Sequence, residues 1–274
     1  MVPGQVHPGT GMLEYTYVPQ TNRYIRRKCP IRDIGSVWEL ALLNSPLPRR
    51  LQQIAALADG ILRQKRPNGS YKVYFDDLPD QGEELYAGEA MLALLAAYEQ
   101  YQDIRYLPSV ERAISYYDAQ YFQRGLVADD ALIFFANWQT QACRLLFEYA
   151  GNEAIKQEVA DYVYRMHDGI IAQGFYEAVK SHPAEQVSVE VACALEGLND
   201  AYAVARASND KRSEPYRQNI SVGIDYLIAV QCTKHIPKKE RGGFGLSIED
   251  RTQRIDVTGH AASAFMKIIE HGIA

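Results

Sequence analysis

Two kinds of predicted helix alternate along the chain from Asp33 onward, and this repeat constrains the fold more than any other feature. Helices of the first kind begin with polar or aromatic residues and then become rich in Ala, Leu and Cys, so apolar residues cover most of their circumference. Helices of the second kind have one apolar stripe and one charged face, which is typical of helices at a protein surface. A glycine with an aromatic or aliphatic residue one or two places after it recurs after the second helices, at Gly69, Gly125, Gly174 and Gly243, with intervals of 56, 49 and 69 residues.

This pattern predicts an all-α fold. The helical periodicity places helices at about 34–45, 47–64, 83–103, 106–123, 132–151, 153–173, 186–208, 214–232 and 257–271. A period near fifty with two helices in each unit indicates stacked α-hairpins. Because the first helix of each pair is apolar nearly all round, we predict an α/α toroid rather than an open solenoid, with the first helices inside and the second helices outside.

We predict two regions in the chain. Residues 1–32 form an extended segment with a β-hairpin around Pro19–Asn22, and residues 33–274 form the toroid domain. The hairpin region, residues 23–32, contains the dense positive patch of the sequence, Arg23, Arg26, Arg27, Lys28 and Arg32. A solvated strand face explains such a patch, and so does binding of an acidic protein partner or a polyanionic substrate.

Composition argues against several classes of function. Hydrophobic residues make up 47% of the chain and charged residues 23%, which is typical of a soluble globular protein. The net charge of −5 gives no electrostatic basis for binding nucleic acid or an anionic membrane surface. No apolar run is long enough to span a membrane. The four cysteines form no C-x-x-C pair, so we predict free thiols in a reducing compartment, the cytoplasm, and we predict no cofactor.

The stretch YFDDLPD, residues 74–80, has the D-D-x-x-D spacing with which isoprenoid synthases hold Mg²⁺ against a diphosphate. Pro79 argues against the helix that such a site needs. The sequence also lacks a second acidic motif of the type N-D-x-x-S-x-x-x-E. We therefore interpret the stretch as a connection at the rim of the toroid cavity, where Asp76, Asp77 or Asp80 would contact a substrate.

Several segments resemble known toroid proteins. The segment ERGGFGLSIEDRTQRIDVTGHAASAF, residues 240–265, resembles a repeat of the prenyltransferase/squalene-cyclase α/α toroid superfamily, with its Gly-Gly-Phe-Gly turn before an inner helix. The segments YAGEAMLAL, FFANWQTQA and SVEVACALEGLNDAY resemble inner helices of bacterial α/α toroid proteins, among them glucuronyl C5-epimerases and six-hairpin glycosidases. The resemblance covers roughly residues 30–274 and implies the toroid fold, and more weakly a chemistry of carbohydrates or isoprenoids.

Four polar residues occupy matching first-turn places when the inner helices are aligned by their Ala-rich cores, namely Glu89, Gln141, Glu190 and His260. In a toroid they would converge on the mouth of the cavity. Carboxylates and a histidine in such a place predict acid–base catalysis by Glu89, Glu190 and His260, with Gln141 binding substrate. The alternative is that the carboxylates stabilise the first turns of their helices and that His260 is a core residue.

Aromatic and basic residues lie next to these positions in the sequence. Tyr86 and Trp138 begin inner helices and would stack on a sugar ring, or else anchor the core. Arg251 and Arg254 would bind a carboxylate or phosphate group, or else are solvated loop charges. No set of Asp, Cys and His residues has a recognised metal-ligand spacing, so we predict no metal site.

These observations favour a carbohydrate-active enzyme of glycosidase, lyase or epimerase type, acting on a saccharide that can carry acidic groups. The alternative is a non-catalytic toroid that binds a peptide or protein, which would have an apolar cavity and polar residues engaged in helix caps. Isoprenoid chemistry is a third hypothesis, and it follows only from the resemblance.

Overall fold

A computed structural model describes residues 16–18, 23–25, 48–74, 79–233 and 241–273, and this part of the chain is all-α apart from two short strands. The chain divides into two compact units, one ending at Val127 and the other beginning at Ala128. No helix of the described ranges is long and apolar enough to cross a membrane.

The described residues of the first unit form three α-helices. Their bounds are Pro48–Gln64 (α1), Glu83–Tyr101 (α2) and Tyr106–Tyr116 (α3), and α3 continues into a π-helical turn, Tyr117–Phe122. The strands Thr16–Val18 (β1) and Arg23–Ile25 (β2) pair antiparallel, with Tyr17 opposite Tyr24. Most of residues 11–32 lies outside the described part of the chain, so the N-terminal hairpin stays a prediction.

The second unit consists of six α-helices and two single 3₁₀ turns among its described residues. The helices are Leu132–Tyr149 (α4), Glu153–Ala172 (α5), Phe175–Ser181 (α6), Ser188–Ala207 (α7), Ser213–Val230 (α8) and Ile255–Glu270 (α9), and the 3₁₀ turns are Asp129–Ala131 and Pro183–Glu185.

The helix α7 lies at the centre of the second unit, where it packs against α4, α8 and α9. Its sequence is rich in Ala, Val and Leu all round, so most of its residues are buried. The amphipathic helices α5 and α8 cover the outer sides of α4 and α7. This layering agrees with the expected pairing of one buried and one amphipathic helix, whereas closure of the helices into a toroid stays a prediction.

A glycine allows α4 and α7 to approach each other closely. A Cβ atom built on Gly197 in α7 would lie 3.0 Å from the Cα atom of Asn137 in α4 and 3.1 Å from Cε1 of His167. No side chain larger than a hydrogen fits there without displacing the backbone of α4. The close approach brings the polar side chains of α4 within reach of those on α7.

The helices of the structure match the sequence predictions at most positions. The predicted helix at 34–45 lies outside the described residues, and the short helix α6 is not predicted by the sequence pattern, in which Gly174 and Phe175 indicate a turn. Among the described cysteines, Cys143, Cys193 and Cys232 are buried and form no disulfide, as predicted, while Cys29 lies outside the described part.

Candidate functional site

Polar side chains from three helices of the second unit meet in its interior. They recur at helical spacing on the sides of α4, α7 and α9 that face one another. We call this set the polar seam; its members are Asn137, Gln141 and Arg144 on α4, Glu196 and Asp200 on α7, and His260, Lys267 and His271 on or directly after α9.

One end of the polar seam is a histidine paired with a buried carboxylate. The Nδ1 atom of His260 lies 2.6 Å from Oε2 of Glu196, and the amide of Asn137 donates to the same oxygen at 3.0 Å. The Glu196 side chain is 3% exposed and that of His260 is 22% exposed. Since a carboxylate can only accept here, Nδ1 carries a proton, and the Nε2 atom of His260 makes no hydrogen bond with any described residue.

The surroundings of His260 favour its protonated form. Burial alone would lower the pKa of His260, but the hydrogen bond to Glu196 and the charges of Glu196 and Asp256 raise it above its usual range. The indole of Trp138 contacts the imidazole edge to face, with the ring centroids 5.9 Å apart. His260 therefore has an oriented ring, a stabilised charged form and an aromatic neighbour.

The other end of the polar seam is a buried carboxylate, Asp200, that Lys267, Arg144 and His271 surround. Asp200 is 1% exposed and accepts from Lys267, while Nε2 of His271 and Nε of Arg144 each lie 3.0 Å from its Oδ1 atom. Burial alone would raise the pKa of Asp200, but Lys267, the hydrogen bond from His271 and the charge of Arg144 lower it to about 2. Asp200 is thus ionised in the folded protein.

The two ends are joined by a continuous chain of hydrogen bonds. Lys267 donates to Oε1 of Gln141 at 2.9 Å, and the amide of Gln141 donates to Oδ1 of Asn137 at 2.9 Å. Asn137 in turn donates to Glu196. Because every carboxamide in this chain has a fixed donor and acceptor side, the chain holds Glu196 in one orientation toward His260.

Three side chains of the site could each offer a ligand atom to a metal ion. The potential ligand atoms of Cys193, Glu196 and His260 lie within 4.8 Å of one another. Burial raises the pKa of the Cys193 thiol well above its usual value, so the thiol keeps its proton. The Oε2 atom of Glu196 is already bonded to His260 and Asn137. The group therefore fits a hydrogen-bonded cluster better than a metal centre.

The structure brings together some of the residues predicted from the sequence. Gln141, Trp138 and His260 lie at the polar seam, and Glu190 is on α7, the helix that carries Glu196. Of the four aligned polar residues, Glu190 alone lies in the first turn of its helix. Gln141 is in the middle of α4, which begins at Leu132 as predicted, so alignment by the Ala-rich cores does not give the position of Gln141 within its helix.

Two predicted residues lie in the first unit, on α2. Tyr86 is fully buried, and its hydroxyl donates to Oε1 of Gln64 at 2.6 Å. Glu89 is 8% exposed, and burial raises its pKa to about 8, since no described residue donates a hydrogen bond to it. Asp76 and Asp77 lie outside the described residues.

The two predicted arginines, Arg251 and Arg254, lie directly before α9 in the sequence. Arg254 forms an exposed ion pair with Asp256, at the start of α9. Arg251 points its guanidinium toward the Cys232 sulfur, with Nη1 and Sγ 3.9 Å apart. Since the charge of Asp256 also acts on His260, Arg254 belongs to the same neighbourhood as the His260–Glu196 pair.

Replacing Glu89 by Gln is expected to change how stability depends on pH. The folded-state pKa of Glu89 is raised from 4.5 to about 8, so the parent protein loses stability as the pH rises through this window. The Glu89→Gln variant lacks this loss and should exceed the parent at pH 8 by on the order of several kcal/mol. Urea unfolding at pH 5 and pH 8 measures the difference.

The half-exposed Glu190 provides the control for this experiment. Glu190→Gln removes a carboxylate from the first turn of α7, which should cost about 1 kcal/mol or less. The difference in unfolding free energy between Glu89→Gln and the parent should widen from pH 5 to pH 8. If it does not widen, Glu89 is ionised in the folded protein.

The sequence interpretation does not assign Glu196, Asp200, Lys267 and Asn137 to the site. A signal for them exists, because Glu196 and Asp200 are four residues apart within the apolar run VACALEGLNDAYAV. Charged residues in a helix that is apolar all round must be buried, and buried charges need partners. The partners of Glu196 and Asp200 lie on helices that are distant in sequence. The pattern in α7 therefore predicts a polar site, but it does not identify the residues on α4 and α9 that complete it.

Comparison with protein-family models and with curated proteins found no match to this chain.

Proposed function

We propose that this chain is an acid–base enzyme that acts on a saccharide, with His260 moving the proton and Glu196 orienting it. The observation that carries the proposal is the 2.6 Å contact between Nδ1 of His260 and Glu196, which directs Nε2 away from the carboxylate, where it offers a lone pair whenever the ring is neutral. A carboxylate that fixes the tautomer and stabilises the imidazolium is the arrangement by which histidine acts as a general base.

The neighbours of His260 support a saccharide as the substrate class. Trp138 is half-buried and lies beside the imidazole, where a flat apolar ring can stack on the face of a sugar. Arg254 is exposed and pairs with Asp256 near the same histidine, so it can turn to a carboxylate of the substrate. An acidic sugar, such as a uronate, fits both residues.

The reaction we propose begins with removal of a proton by Nε2 of His260. The proton comes from the sugar carbon next to the carboxylate, and Arg254 balances the charge that develops on that carboxylate. Return of a proton from water to the opposite face inverts the carbon, and Nε2 releases its own proton to solvent. Alternatively, the substituent on the neighbouring carbon departs and takes the proton from Nε2, which gives an unsaturated sugar and an alcohol. If Nε2 instead takes its proton from water, the water oxygen bonds to the anomeric carbon as the glycosidic bond breaks, and the departing oxygen takes the proton, so the outcome is hydrolysis.

The α/α toroid with an N-terminal β-hairpin is part of the same proposal. The layering of α4, α7 and α9 inside α5 and α8 supports it, as does the resemblance of residues 240–265 to a toroid repeat. In such a fold, the polar seam would face the central cavity and Trp138 would lie near its mouth.

The proposal is tested by incubating the protein in D₂O with oligosaccharides from polygalacturonate, alginate and heparosan, and with maltohexaose as the neutral control. Deuterium in the recovered uronate reports epimerisation, ultraviolet absorbance reports an unsaturated product, and new reducing ends report hydrolysis. We expect one of these signals with an acidic saccharide and its loss in His260→Gln. Saturable binding without turnover, unchanged in His260→Gln, would favour the non-catalytic binding module instead.

A further inference from the structure

The last helix, α9, presents an apolar stripe to solvent on the side opposite α7. Ile255 is 92% exposed, Met266 is 69% exposed and Ile269 is 78% exposed, and Gly259 and Ala262 are exposed between them. These five residues, which we call the α9 stripe, are spaced by four, three, four and three residues, the spacing of a helix that packs along a second helix.

The inner side of α9 is already used by the fold. Val257, Ala261, Ala264 and Ile268 are buried, and His260 and Lys267 join the polar seam. Large apolar side chains on the surface of a monomeric protein are dispersed, whereas a continuous stripe of them marks a surface that a partner covers. The second side of α9 carries such a stripe, which indicates a partner for that side. A Cβ atom built on Gly259 meets no atom within 4 Å, so the middle of the stripe is open.

The α9 stripe is complementary to itself in the antiparallel direction. Ala262 lies midway between Ile255 and Ile269, seven residues from each. When two copies of α9 cross at Ala262, each Ile255 lies opposite Ile269 of the second copy. Met266 then lies opposite the gap at Gly259. Small residues at the crossing let the two backbones approach, and a large residue fills the gap left by a glycine.

The charges at the two ends of α9 fit the same arrangement. Glu270 is exposed at the C-terminal end of the helix, and Arg254 is exposed directly before its N-terminus. Antiparallel packing places Glu270 of one copy beside the N-terminal end of the other, where the helix dipole is positive and Arg254 lies beside its partner Asp256. A parallel pair would instead bring like charges together at both ends.

From this self-complementarity we propose that the α9 stripe is the interface of a homodimer, in which two copies of α9 pack antiparallel across a two-fold axis at Ala262. A two-fold axis requires that each contact occurs twice, and the stripe satisfies this requirement along its whole length. The dimer does not depend on proton transfer by His260, because the stripe lies on the side of α9 opposite His260.

Sedimentation velocity of the full chain, from about 1 µM to about 100 µM, tests the proposal in a range suited to a small interface. We expect the parent to sediment as a dimer at the upper end, and Met266→Glu and Ile269→Glu to sediment as monomers. Ile104→Glu and Ile228→Glu, which alter exposed isoleucines elsewhere, are the matched controls and should keep the dimer. Gly259→Arg adds bulk and charge in open space, so it should fold and also give a monomer.

The direction of packing is tested by cross-linking. In a Cys29→Ser background, Ala262→Cys should form an intermolecular disulfide on oxidation, and so should Ile255→Cys mixed with Ile269→Cys, whereas Ile255→Cys alone should not. A parent protein that is monomeric throughout the concentration range would overturn the proposal, and would mean that another polypeptide covers the stripe. A dimer that survives all three substitutions on the stripe would overturn it as well.

Discussion

The His260→Gln variant is expected to fold like the parent protein and to lose turnover by about a hundredfold or more, because Gln cannot accept a proton in place of Nε2. Gln can still donate one hydrogen bond toward Glu196, so the carboxylate keeps a partner and the melting temperature should change little. Initial rates with the saccharide identified by the substrate panel, together with thermal unfolding, measure the two quantities. His182→Gln, which alters an exposed histidine, is the control and should change neither.

The Glu196→Gln variant separates positioning from proton transfer. The glutamine side chain keeps an oxygen that can accept a hydrogen bond from His260, but it lacks the charge that raises the pKa of His260. The pKa of His260 should therefore fall. A general base is active when deprotonated, so the rising limb of kcat/KM against pH should move to lower pH. The plateau should fall by about tenfold or more while KM changes little. A pH profile that does not move would contradict the role given to Glu196.

Replacing Asp200 by Asn is expected to give the largest loss of stability in the second unit, on the order of 3 kcal/mol at neutral pH. Asp200 is the buried anion that Lys267, Arg144 and His271 share. An amide in its place leaves Lys267 without a carboxylate partner and leaves Arg144 with Glu148 alone. Equilibrium unfolding in urea at pH 7 measures the loss.

The pH dependence of stability provides a second measurement on Asp200. Its folded-state pKa is lowered from 3.8 to about 2, so its contribution is complete above pH 4 and is lost as the pH falls toward 2. The Asp200→Asn variant should lack this loss. Glu214→Gln, which breaks an exposed ion pair with Arg217, is the control and should leave the unfolding free energy essentially unchanged.

A double variant tests whether the cost arises from the unpaired cations. Asp200→Asn combined with Lys267→Met removes one of the cations that the single change leaves without a counter-charge, so it should recover part of the lost stability. An Asp200→Asn protein as stable as the parent at pH 7 would contradict the account of this end of the polar seam.

The helices could be predicted from the sequence because their signal is local. The periodicity of α7, apolar all round, and of α8, apolar on one side, depends only on neighbouring residues, so both are predicted within a few residues of their bounds. The helix α6 has seven residues, too few for a periodic pattern to stand out, and it follows a glycine that indicates a turn.

The polar seam could be predicted only in part, because it depends on how each helix is rotated about its axis. Alignment of the inner helices looks for polar residues near the start of each helix, and it identifies His260 and Gln141. It does not identify Glu196, which lies further along α7. The rotation of α7 against α4 is fixed by the close contact at Gly197, and a single sequence does not show which helix that glycine faces. Sequence patterns therefore identify candidates on separate helices, and tertiary packing decides which of them meet.

The central claim is that His260, oriented by Glu196, faces the substrate, and NMR of the His260 imidazole tests it most directly. In protein labelled with ¹⁵N at histidine, His260 should carry its proton on Nδ1 when neutral and titrate above its ordinary range. Its pKa should fall in Glu196→Gln, and its Nε2 signal should shift when an acidic oligosaccharide binds. An imidazole that titrates identically in both proteins, and that no saccharide from the panel perturbs, would contradict the account.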